Sequence, residues 1–182
     1  MGPELDRKAL QDLSYGLYIV TSRDGDRING QIVNTVIQVT SEPPRVAVII
    51  NKKNLTHEFI LKSKVFAVSV LEESAPMTFF GPFGFRSGRD FDKLAKVALK
   101  RGAGTGCPLL TEHILSVLEA EVIDQIDLGT HTIFVADVIS SEVLRTGRPL
   151  TYHYYHEHLK GKSPKNAPTF MPATQPLNEK GP

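Results

Sequence analysis

The residues most able to do chemistry lie at two junctions. In Asn51-Lys52-Lys53-Asn54-Leu55-Thr56-His57 a strand ends and a helix begins. A helix N-terminus presents free N–H groups and a partial positive charge, which suit an anion such as phosphate. Lys52 and Lys53 add charge, and Asn54 and Thr56 add hydrogen bonds. The same residues also read as an ordinary capped helix with solvated lysines. The second junction is Phe85-Arg86-Ser87-Gly88-Arg89-Asp90. Small Ser87 and Gly88 let backbone approach a ligand, and Arg86 or Arg89 can fork onto phosphate. An exposed turn is the plainer account of it.

Other groups argue less. Gly102-Ala103-Gly104-Thr105-Gly106 lacks the G-x-G-x-x-G spacing and the strand-to-helix context of a dinucleotide loop. His153, His156 and His158 match no metal-ligand spacing, so aromatic packing accounts for them better than a metal. His131 follows a tight turn at the mouth of a strand pair, and a lone histidine of this kind is commonly structural. Cys107 is the one cysteine, which excludes an intrachain disulfide, cysteine-ligated iron–sulfur clusters and multi-cysteine zinc sites. Redox chemistry would need an organic cofactor.

The elements that must position these residues are mostly strands. Tyr15 to Ser22 is rich in aromatic and β-branched residues, and Asp24-Gly25 is a hairpin turn signal. Ile28 to Ser41 reads as one long run, in which Asn34, Thr35, Gln38 and Thr40 interrupt the apolar residues. Pro43-Pro44 breaks the chain, Arg45 to Ile50 and Val65 to Leu71 are buried-strand candidates, and Asn54 opens a helix through Lys62. Val117 to Asp127 and Thr130 to Leu144 form a hairpin about Leu128-Gly129. A short amphipathic helix is expected from Leu5 to Leu13, an irregular segment over Gly81 to Arg89, a helix over Asp90 to Lys100, and an aromatic strand over Leu150 to Tyr155. Strands arrive in hairpins, not βαβ units, so the expected fold is mainly β: an antiparallel barrel with a few peripheral helices. Residues 1–160 form the domain, and 161–182, with Pro164, Pro168, Pro172 and Pro176, an extended arm.

The 182 residues carry 21 Lys and Arg against 20 Asp and Glu. That balance makes nucleic acid a poor partner. The charged start at Met1 to Lys8 lacks a secretory h-region, Asp6 breaks a myristoylation pattern at Gly2, and no apolar run is long enough to span a bilayer. A cytoplasmic protein without a membrane partner is expected.

Taken in order, several segments resemble the flavin-reductase-like FMN-binding split-barrel family, in particular flavoredoxins and the flavin domains fused to rubredoxin. They are Leu13 to Ser22, Asn29-Gly30, Asn34 to Ser41 with Pro43-Pro44, Asn51 to His57, Phe66 to Leu71, Phe83 to Asp90, Leu150 to Tyr152 and Gly161 to Thr169. The likeness spans about Leu10 to Thr169 and rests on order and spacing, not on any one motif. It implies a split β-barrel that functions as a homodimer, with FMN (FAD being possible) in a groove at the dimer interface and NAD(P)H as reductant. On matching positions, Asn34, Thr35, Gln38 and the neighbouring Val39 and Thr40 would face the isoalloxazine and ribityl chain. Asn51, Lys52, Asn54 and Thr56, with Ser87, Gly88 and Arg89, would hold the phosphate. Related reductases place a histidine near the nicotinamide with a Gly-Asp-His turn. Here the turn is Gly129-Thr130-His131, so His131 is the nicotinamide-positioning candidate without the acid. An iron partner such as rubredoxin would be a separate protein. Two other functions fit this reading of the residues: a flavin electron carrier reduced by a protein, and a non-redox binding barrel.

Overall fold

The computed structural model describes residues 6–170. Leu5, Pro172 and Pro176, which figure in the expectations above, lie outside that range. A seven-stranded antiparallel sheet runs in the order β2-β1-β5-β8-β9-β4-β3. Its strands are β1 (Tyr18–Asp24), β2 (Arg27–Val33), β3 (Val36–Ser41), β4 (Pro44–Asn51), β5 (Val65–Leu71), β8 (Ile114–Asp127) and β9 (His131–Val143); β6 (Leu99–Arg101) and β7 (Pro108–Leu110) make a separate short hairpin.

The topology dictates the shape. The two outer strands, β2 and β3, are consecutive in the chain and joined by Asn34-Thr35. A sheet whose first and last strands share a two-residue link must curl until its edges meet there. Thr35 fixes that corner: its carbonyl accepts the Ile49 N–H at 3.1 Å and its hydroxyl donates to the Ile49 carbonyl at 3.2 Å. The run Ile28 to Ser41 is therefore two strands, not one, and the expected split barrel is the architecture found.

Alternation along the strands builds two cores. Val20, Phe66, Val68, Val48, Ile50 and Phe134 point inside the curled sheet. Ile19, Ala67, Leu71 and Val117, of opposite parity, point outward and are covered by Phe80, Phe83, Leu110, Leu150 and Tyr155. Strands buried on both faces read as near-continuous apolar runs, which is why β1 and β5 stand out in the sequence.

Three helices pack on this body: α1 (Leu55–Ser63), α2 (Met77–Phe85) and α3 (Tyr152–Glu157). Four expectations change. The first half of the segment expected to be irregular, to Phe85, belongs to α2, despite Gly81, Pro82 and Gly84, because burying Phe80 and Phe83 outweighs weak propensity. The aromatic strand expected from Leu150 is not formed, with only isolated bridges at Pro149 and Thr151: Thr151 caps a helix by accepting the Tyr154 N–H at 3.1 Å, which turns the tyrosines into α3. Residues 90–98 form turns in place of the expected helix, and the N-terminal helix is a 3-10 helix, Arg7–Asp12. No helix among the described residues is long and apolar enough to cross a membrane.

Candidate functional site

One cleft, about 280 Å³, opens beside the barrel corner between β2, the β4–α1 junction, the end of α2 and residues 164–168. Each wall contributes polar atoms for a local reason. On β2, Asn29 and Gln31 are two residues apart and share a face. Asn29 Nδ2 donates to Thr56 Oγ1 at 2.7 Å, tying β2 to α1. Gln31 is 8% exposed, and its Oε1 is buried with no hydrogen-bond partner among the described residues. Leaving such a group unpaired costs about 1–3 kcal/mol, so a hydrogen-bond donor brought into the cleft beside it would be favoured.

At the β4–α1 junction, Asn51 Oδ1 accepts the Lys53 N–H at 3.0 Å, which turns the chain and sends Lys53 to the cleft. Asn54 occupies the α1 N-cap position, yet its side chain makes no capping bond; its Oδ1 accepts from Asn166 Nδ2 at 3.2 Å instead. After α2, Ser87 Oγ accepts the Arg89 N–H at 3.1 Å. A Cβ on Gly88 would overlap the Asn29 carboxamide, so close approach of the loop to β2 requires glycine there.

The electrostatics point one way. Lys53, Arg86, Lys93 and Lys165 line the cleft, and none of the described lining residues is Asp or Glu. Lys93 is 8% exposed, and its ammonium donates to the Gly30 carbonyl at 2.9 Å. Burial pulls it down to about 8. An anion beside it would recover that cost. The cleft fits a flavin phosphate on these observations: cations without counter-charge, a glycine-enabled backbone approach, and an orphaned amide for the polar remainder of the molecule.

Of the residues singled out from sequence, Asn34, Asn51, Lys53, Asn54, Thr56, Arg86, Ser87 and Gly88 come together at the cleft. Thr35, Gln38, Val39, Thr40, Lys52, Arg89 and His131 do not line it. Thr35 holds the corner. Gln38, Val39 and Thr40 lie on edge strand β3, where Gln38 Nε2 donates to the Thr40 carbonyl at 3.3 Å and Val39 is 48% exposed. Lys52 is spent on Asp127, Nζ to Oδ1 2.6 Å, and Arg89 on Glu58, whose carboxyl that bond holds below its ordinary range. Within the pairs Lys52–Lys53 and Arg86–Arg89 the structure presents the other member, Lys53 and Arg86, to the cleft. His131 sits at the β9 mouth beside cleft-lining Asn51, its Nε2 3.4 Å from Asn51 Nδ2 and 3.3 Å from the Asn166 carbonyl. It can accept from the first or donate to the second, not both with one tautomer. His57, nearby, is structural: it is buried against Phe134, its Nε2 is 2.8 Å from Thr132 Oγ1, and burial lowers its pKa.

Gln31, Lys93 and Lys165 are missing from the sequence reading. Asn29 and Gln31 do leave a trace, two amides on one strand face leading to Asn34. Lys93 and Lys165 leave none, since nothing local separates a buried lysine from a solvated one.

The model of the flavin reductase-like domain family matches residues 10–161. The chain is 51% identical over 166 residues to a high molecular weight rubredoxin of Moorella thermoacetica, covering 91% of this chain and 72% of that one. It is 48% identical over 167 residues to a ferric-chelate reductase (NAD(P)H) of Archaeoglobus fulgidus, covering 92% and 98%. Among solved structures, an NADH:FAD oxidoreductase of Streptomyces globisporus, in complex with NAD and FAD fragments, superposes with a TM-score of 0.71 at 25% identity, over 82% of this chain and 92% of that one. With a split-barrel body, a cleft at its corner lined by four cationic side chains, and the family match over residues 10–161, this chain belongs to the flavin reductase-like family and is a flavoprotein oxidoreductase.

Proposed function

We propose that the cleft holds FMN and that the protein passes electrons from NAD(P)H to a separate acceptor. The observation that carries this reading is the acid-free cleft with four cationic side chains around a glycine-dependent loop. Lys53, Thr56, Ser87, the Gly88 N–H and Lys93 would hold the phosphate, and Gln31 and Asn34 the hydrogen-bonding parts of the ribityl chain and ring. A volume of about 280 Å³ is at the lower edge of the roughly 300–1,000 Å³ usual for small-molecule sites. That favours the mononucleotide over FAD and leaves the ring partly outside, where a reductant can reach it.

When bound, a flavin supplies hydride acceptance from a nicotinamide and onward electron transfer. The chain supplies grip and orientation, and no protein acid or base is required. His131, beside Asn51 and outside the cleft, would position the nicotinamide. Edge strand β3 exposes Ile37 and Val39, and the β8–β9 hairpin exposes Ile126 and Leu128. We read these as a face that a second copy covers, bringing Gln38, Val39 and Thr40 to a shared groove. The Moorella relative supports a rubredoxin-type protein as acceptor.

The test is spectroscopic. Purified protein with added FMN should show a perturbed flavin spectrum and bind FMN more tightly than riboflavin. Anaerobic NADH or NADPH should bleach it within seconds. Equal affinity for both flavins would remove the phosphate site. Tight FMN binding with bleaching only over hours would favour the carrier reduced by a protein partner, a reading that the missing acid at Gly129-Thr130-His131 keeps in play.

A further inference from the structure

Residues 163–169 were expected to be part of an extended arm. In the structure this segment crosses the cleft, and Pro164 to Pro168 line it. Its base is fixed: Tyr155 Oη donates to the Lys162 carbonyl at 3.0 Å, and His156 Nδ1 lies 2.9 Å from the Gly161 carbonyl. A Cβ on Gly161 would overlap the Tyr155 ring, so the chain can turn there only as glycine. Beyond the base, the segment is held at its tip by side chains from several walls of the cleft. Asn166 Nδ2 donates to Asn54 Oδ1 at 3.2 Å, at the head of α1. The Asn166 carbonyl faces His131 of β9. Thr169 Oγ1 accepts from Asn34 Nδ2 at 2.9 Å at the barrel corner and lies 2.7 Å from Tyr152 Oη of α3.

We propose that residues 163–169 are a working part of the flavin site: a strap that closes over the bound nucleotide and makes the flavin a retained group, not a released substrate. The inference rests on the flavin reading above and goes beyond it, because a flavin-binding cleft needs no cover to exchange its ligand with solvent. Three features support retention. Asn34 and Asn54, both cleft residues, spend side-chain bonds on the strap, so closing it and building the site are coupled. Lys165 brings a cation to the cleft from the strap side, which makes closure more favourable with an anion inside. Pro164 and Pro168 restrict the strap's backbone and lower the entropy lost when it closes. The strap's bonds are exposed or half-buried, so it can open without disturbing the core.

The test compares wild type with the double variant Asn166→Ala/Thr169→Val, which removes both tip anchors while keeping strap length. FMN dissociation is followed by the return of free-flavin fluorescence, and affinity by titration. Each anchor is worth roughly two- to tenfold in the open–closed balance. The variant should therefore release FMN about tenfold faster or more and bind it more weakly. Hydrogen exchange in the unaltered chain gives an independent reading: FMN should slow exchange of the strap amides. Tighter FMN binding by the variant, or faster strap exchange with FMN present, would show that the strap blocks the cleft and overturn the proposal. Unchanged release would show an inert tail and overturn it too. If the wild type binds no flavin at all, the functional reading itself fails, an outcome distinct from tight binding that ignores the strap.

Discussion

Lys93 offers the sharpest test, because one buried ammonium affects both stability and binding. A lysine moved from an ordinary 10.5 to about 8 holds its charge in the folded protein at a cost of about 3 kcal/mol below pH 8. The sign follows from proton counting. Between the two values the unfolded chain binds more protons than the folded one, so stability rises with pH across roughly 8 to 10.5 and is lost as pH falls back through 8. Lys93→Met removes that dependence. It also leaves the Gly30 carbonyl without its 2.9 Å donor, a loss of about 1–2 kcal/mol. The flavin-free variant should thus be more stable than wild type by about 1–2 kcal/mol at pH 7, or roughly 2–8 °C in Tm. The order should reverse near pH 10, where wild type has regained its deficit. The same substitution should weaken FMN about ten- to a hundredfold, the worth of a charge-assisted bond to phosphate, and leave riboflavin nearly untouched. Calorimetry near pH 8.5, in buffers of different ionisation enthalpy, should show wild type taking up a proton with FMN and the variant not. Parallel melting curves for the two proteins from pH 7 to 10 would refute the buried-charge argument. Equal losses for FMN and riboflavin would refute the phosphate contact.

Three further outcomes follow from the same geometry. Gly88→Ala should lower FMN affinity at least about tenfold, with a stability loss of about 1–3 kcal/mol, since its Cβ meets an Asn29 pinned by Thr56; a crystal structure showing the loop unmoved would contradict it. His131→Ala should raise the apparent KM for NAD(P)H while changing FMN affinity only slightly through the lost Asn166 contact; loss of FMN binding would remove the nicotinamide assignment. On the proposed pairing through β3, Ile37→Asp, on a side chain 60% exposed at the sheet edge, should shift the protein from dimer to monomer in sedimentation and weaken FMN; a stable dimer with that variant, or a wild type that sediments as a monomer, would refute that pairing.

The barrel was legible because its central strands are buried on both faces and read as unbroken apolar and β-branched runs. Ile19 and Val20, or Phe66 and Ala67, serve opposite cores, and that is what a doubly buried strand writes into a sequence. Element identity failed where a single local bond or distant packing decided it. Leu150 to Tyr155 has strand composition, but the Thr151 hydroxyl offered the Tyr154 N–H a cap and a helix followed. Met77 to Phe85 has poor helix composition, but two phenylalanines found a core. In the site, residue types were legible and their aim was not. Lys52 and Lys53 are chemically equal in sequence; the Asn51 side chain, by accepting the Lys53 N–H, sets the turn that separates them.

That separation explains why composition is silent about the ligand. A formal net charge of +1 suggests no appetite for anions. The structure shows the balance to be spatial. Asp127 engages Lys52, Glu58 engages Arg89 and Asp24 engages Lys62, all on the exposed surface. Surface pairs of this kind contribute at most about 1 kcal/mol each, so stability alone gives little reason for them. Their consequence is electrostatic: Asp127 and Glu58 neutralise Lys52 and Arg89, which flank the cleft loops in sequence, and leave the field inside the cleft to Lys53, Arg86, Lys93 and Lys165. Lys93 is held where water does not screen it, so its interaction with a phosphate is stronger than that of any solvated lysine. A chain with almost no net charge can therefore grip an anion firmly, provided its acids are kept on the outside of the site.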